Sequence, residues 1–155
     1  MKKYLLLLLL PVFLLLTGCP YKSYQPIDSG SAKVPKWILG RWENKSGVTY
    51  IIEKDTKYTL KAFTVDSLGN KSNNYEYVIL SKVGDDVYFN VRASDNTGYY
   101  LFKLNKVNKK YFELWPFKEN SPLSGTDMKK YLKNNGANSS LYNMTDVYTY
   151  TKLKR

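Results

Sequence analysis

From Val48 onward, apolar and polar residues alternate with a period of two in short segments, each closed by turn residues. That period is the signature of a strand with one face buried. Val48, Tyr50 and Ile52 share a face. Tyr58, Leu60 and Ala62 oppose Thr59, Lys61 and Phe63, and Asp66-Ser67-Leu68-Gly69-Asn70 makes the next turn. Asn74 to Val83 sets Tyr75, Tyr77 and Ile79 against Glu76, Val78 and Leu80. After Gly84-Asp85-Asp86, Val87, Phe89 and Val91 point inward, and Tyr88, Asn90 and Arg92 outward. Past Asp95-Asn96-Thr97-Gly98, Tyr100, Phe102 and Leu104 form an inner set, followed by Phe112 and Leu114. The spacing then changes. Met128, Tyr131 and Leu132, with Thr126 as N-cap and Gly136 as stop, predict one helix of about ten residues. Asp146 to Lys154 returns to period two.

Consecutive hairpins with short turns make an up-and-down antiparallel meander, and closure removes its exposed edges. The expected fold is all-β: an antiparallel β-barrel of seven or eight strands, with one short α-helix before the last strand. A barrel of about eight strands is either filled by side chains or holds one small ligand. Tyr50, Phe89, Tyr100 and Phe102 are the candidate pocket lining.

The N-terminus obeys different rules. Lys2 and Lys3 precede an apolar run from Leu5 to Leu16, then Thr17-Gly18-Cys19. About 20 residues are needed to span a hydrocarbon core, so this run is too short to cross comfortably. A charged start, short apolar middle and small-residue end is the pattern of a cleavable export signal. Leu16-Thr17-Gly18-Cys19 resembles the lipobox of bacterial lipoproteins. The resemblance implies removal of residues 1–18 and attachment of acyl chains, palmitate among them, to Cys19. By resemblance to enterobacterial sorting, Pro20 in place of aspartate after the cysteine implies the outer membrane, facing the periplasm. Pro20 to Pro35 holds three prolines and no apolar period, so residues 19–35 read as a lipidated flexible tether. Sixteen extended residues would reach at most ~55 Å. Residues 36–155 then form one domain.

The chain has no histidine, and Cys19 is its only cysteine. These absences remove Ser-His-Asp and Cys-His chemistry and the usual zinc sites. No catalytic residue, metal ligand or cofactor site is assigned, and the chain reads as a non-enzyme. The 24 Lys and Arg against 13 Asp and Glu give a formal +11, and loss of Lys2 and Lys3 leaves +9. The lysines are scattered. That suits a solvated surface or contact with anionic headgroups, and argues against nucleic acid.

Gly40-Arg41-Trp42 resembles the Gly-x-Trp that opens the first strand of lipocalin-like barrels. The resemblance implies that Trp42 packs across the closed end, under a basic residue of the last strand such as Lys152, Lys154 or Arg155. The expectation is a monomeric, membrane-anchored envelope lipoprotein whose barrel binds a small apolar ligand. The alternative is a protein–protein or membrane-surface interaction module, using exposed Tyr88, Tyr99, Tyr148 and the lysines. A hydrolase inhibitor ranks third.

Overall fold

The structure is a computed structural model and describes residues 21–118 and 123–154. Leu16, Thr17, Gly18 and Cys19, and with them the signal peptide and the lipidation site, lie outside the described residues. The strands are β1 (Lys22–Ser23), β2 (Gly40–Asn44), β3 (Thr49–Lys54), β4 (Thr59–Val65), β5 (Lys71–Val83), β6 (Asp86–Arg92), β7 (Tyr99–Asn108), β8 (Tyr111–Pro116) and β9 (Tyr148–Lys152). The helix, α1, spans Gly125–Asn135.

Strands β2 to β9 pair in sequence order, all antiparallel, and β9 closes on β2 through Trp42↔Lys152 and Asn44↔Tyr150. This is the expected closed eight-stranded barrel, with the helix before its last strand. The turns form where short polar side chains bond to nearby backbone. Asp66 accepts from the N–H groups of Leu68 and Asn70, at 3.0 and 2.7 Å. Ser124, not Thr126, stands at the N-cap of α1.

Register carries the inner parity around the barrel. Phe89 lies opposite Leu80 and Phe102, Ile52 opposite Ala62, and Leu104 opposite Leu114. The inner cluster contains Ile38, Trp42, Ile52, Leu60, Val78, Leu80, Phe89, Phe112 and Leu114.

A second core lies outside the barrel wall. Tyr88, predicted to face solvent, is wholly buried there with Leu101, Phe117, Met128, Leu132 and Tyr142. Helix α1 and the 3₁₀ turn at Ser139–Leu141 cover this face. Tyr88 and Tyr142 share a hydroxyl–hydroxyl bond of 2.9 Å, and Tyr142 donates to the Gly136 carbonyl at 2.9 Å. Asn90, also predicted to face out, is 1% exposed. Of the three tyrosines offered as a contact surface, Tyr99 is half-buried and Tyr148 is exposed.

The flexible tether is likewise corrected for residues 21–35. Tyr21 packs edge-on against Phe117, and its hydroxyl donates to the Leu123 carbonyl. Strand β1 adds to β7 where β8 has left it. The Ile27 N–H donates to Asn90 Oδ1 at 2.8 Å, and the N–H groups of Ser31 and Ala32 donate to the Leu80 carbonyl. Asp28 accepts from Ser81 on β5 and Lys129 on α1, both at 2.6 Å. The segment is a strap whose Tyr21 and Ile27 join the outer core and whose Ala32 joins the inner one, so the described fold begins at Tyr21 rather than Lys36.

Candidate functional site

One end of the barrel is shut. Gly40 takes φ +114°, a left-handed conformation that side chains other than glycine's disfavour. The bend lets Trp42 enter the interior fully buried, where its Nε1 donates to the Ile38 carbonyl at 2.7 Å. Trp42 meets Phe112 edge-on at 4.7 Å and Trp37 at 6.3 Å. Lys152 closes the stack. Its Nζ lies 5.0 Å from the Trp42 ring centroid and donates to the carbonyls of Trp37 and Leu39, at 2.6 and 3.0 Å. A cation held over an aromatic face and capped by carbonyls satisfies backbone that no strand can pair.

Above this floor the interior is nearly filled. A cavity of about 30 Å³ remains, walled by Tyr50, Leu60, Val78, Phe89, Phe112 and Tyr150 among others. A water needs roughly 10–15 Å³ of such space, so about two fit. Of the four predicted lining residues, Tyr50 and Phe89 reach this cavity. Phe102 instead packs into the core, edge-on to Tyr148 at 5.7 Å. Tyr100 stands near the rim, with Lys22 Nζ 6.0 Å from its ring centroid. Rings as large as Phe89, Phe112 and Tyr150 leave no room for a bulky ligand within an eight-stranded wall.

The open end carries a group that sequence reasoning passed over. Glu76 shares the inner face of β5 with Val78 and Leu80, and it lines the cavity beside Tyr50 and Tyr150. Glu76 is itself solvent-exposed at the mouth, makes no hydrogen bond or ion pair among the described residues, and has its pKa raised above the usual value by partial desolvation of the carboxyl among its neighbours. Burial likewise raises Tyr50, with Glu76 adding to the shift; Tyr150 moves up strongly, for burial first and its neighbours Tyr50 and Glu76 after it. The signal was present in the alternation, where Glu76 has the parity of two core residues.

A groove of about 520 Å³ runs between α1 and the β5–β6 hairpin, lined by Lys82, Val83, Gly84, Thr126, Lys129, Lys130 and Lys133. Lys129 is tied to Asp28; Lys82, Lys130 and Lys133 have no ion-pair partner among the described residues. No group of three or more His, Cys, Asp or Glu that could hold a metal ion occurs among the described residues.

These features define a filled, antiparallel eight-stranded barrel with one closed and one open end. Compared with protein-family models, curated proteins and solved structures, the chain matches none.

Proposed function

We propose that the chain is a lipid-anchored, non-catalytic module of a bacterial envelope, held against the membrane rather than extended from it. The observation that carries this reading is the strap. Only Pro20 separates Cys19 from Tyr21, which is packed in the outer core, so acyl chains on Cys19 would tether the folded body on a link of two residues, at most about 7 Å of backbone. Anchor and barrel are then one unit at the membrane surface. Strand β1 and the start of α1 meet through Tyr21 and Leu123, so the lysine groove on α1 lies on the side of the anchor. Lysines near an anionic leaflet contribute about 1 kcal/mol each. The Trp42–Lys152 floor supports the lipocalin-like resemblance. A cavity of about 30 Å³ weighs against a carried apolar ligand and favours interaction through the surface. The outer membrane, facing the periplasm, remains the proposed location.

Two measurements test the reading. The chain extracted from bacterial membranes should begin at Cys19 and carry the mass of its acyl chains; an intact leader or an unmodified Cys19 overturns it. A spin label on Lys130→Cys, unique once Cys19 is acylated, should sense the headgroup layer of anionic vesicles. A label as exposed to aqueous relaxants as one on Leu68→Cys, at the β4–β5 turn, overturns the surface orientation.

A further inference from the structure

The ion pairs of the described residues engage Lys22, Lys61, Lys71, Lys103 and Lys129 with Asp95, Asp55, Glu53, Asp86 and Asp28. Glu43, Asp66, Glu76, Asp85, Glu113, Asp127 and Asp146 are in none of them, and of these only Glu76 lines the cavity at the open end. Its surroundings explain why it is unpaired. The residues that share the inner face with it toward the open end include Asn44 on β2, Tyr50 on β3, Ala62 and Thr64 on β4, Val91 on β6, Tyr100 on β7, and Tyr148 and Tyr150 on β9. None is a cation, and Lys22 near the rim is held by Asp95 at 2.8 Å. Glu76 lines a cavity of about 30 Å³ together with aromatic rings: Tyr50 meets Tyr150 edge-on at 5.8 Å, and Tyr150 stacks on Phe112 at 4.8 Å.

We propose that the open end of the barrel binds the ammonium group of a small primary amine, held by the Glu76 carboxylate and walled by Tyr50 and Tyr150. Three features of the site select this chemistry. A single carboxylate matches one positive charge and is too few ligands for a metal ion, which takes six or more oxygens in the case of calcium. Tyrosine faces attract a cation through their ring quadrupoles, and more strongly where water is partly excluded. A space of about 30 Å³ admits an –NH₃⁺ group, which is the size of a water, and rejects a trimethylammonium group. The chain attached to the nitrogen would leave through the open end. The site does not depend on the lipid anchor, so it stands or falls separately from the reading above.

The test is a titration of the full-length chain in a non-ionic detergent, followed through backbone amide resonances. Butylammonium is the probe; tetramethylammonium and 1-butanol are the controls. Butylammonium should give saturable shifts centred on Tyr50, Glu76 and Tyr150, with tetramethylammonium and butanol at least tenfold weaker. Glu76→Gln, of the same size and without the charge, should weaken butylammonium at least tenfold, and its own spectrum reports whether the fold is intact. Arg92→Gln, on the outer face of the same rim, should bind as the parent does. Binding should fade as pH falls through the carboxyl's raised pKa, because a protonated Glu76 no longer offers a charge. Shifts that do not saturate, equal binding of butanol, or full binding by Glu76→Gln would overturn the proposal.

Discussion

Asn90→Ala separates a strap that belongs to the fold from one that merely rests on it. Asn90 is 1% exposed and makes three bonds at once. Its Oδ1 accepts from the Ile27 N–H at 2.8 Å, and its Nδ2 donates to the Ile79 carbonyl at 2.9 Å and to Ser81 Oγ at 3.0 Å. Alanine leaves the Ile27 N–H, in a residue 3% exposed, without a partner. An orphaned buried donor costs about 1–3 kcal/mol. The other two losses are milder, since Ser81 still donates to Asp28; together they add roughly 1 kcal/mol. The sum is about 3 kcal/mol, a large share of the ~5–15 kcal/mol that holds a domain folded. Urea unfolding reads the total. Amide exchange locates it, and protection should fall first at Ile27, Ser31 and Ala32. A change below about 0.5 kcal/mol, the level of an ordinary surface substitution, refutes the reasoning, as does unaltered protection at those amides.

At the closed end, Lys152→Met keeps the aliphatic stem but frees the carbonyls of Trp37 and Leu39, and should destabilise by about 1–3 kcal/mol in chemical unfolding. Phe89→Ala should cost about 3–5 kcal/mol if the interior is packed solid, and a loss under 1 kcal/mol would mean that the ring borders open space. For Asp28, burial pushes the carboxyl up, but bonds from Lys129, Ser81, Ser31 and the Gly30 N–H outweigh it and hold the pKa below 3.8. A depressed acid stabilises the fold at pH above its unfolded value and loses that contribution as pH falls through the folded one. The parent's urea midpoint should therefore drop more steeply below about pH 4 than that of Asp28→Asn; parallel curves would remove Asp28 from the account.

Sequence alone was enough for the barrel wall. Alternation has only two phases, so Val78 and Leu80, or Phe89 and Val91, must share a side once one of them is inward, and turn residues mark where each strand ends. Gly40 and Trp42 were legible only through their resemblance to the opening of lipocalin-like barrels; the left-handed bend and the buried ring are what the structure adds. What the phase cannot say is what lies beyond the outward side. Tyr88 and Asn90 read as solvent-facing because they alternate with Val87, Phe89 and Val91, yet each is buried under α1 or the strap with hydrogen bonds to Tyr142 and from Ile27. The strap itself has no period. Tyr21, Ile27 and Ala32 enter separate gaps in an irregular path, and prolines between them look like a linker. Glu76 had the parity of the core, and only the tertiary structure brought Tyr50 from β3 and Tyr150 from β9 beside it without a cation. Local spacing determines which way a side chain points; which distant segment meets it depends on closing long loops, and that information resides in no single stretch of chain.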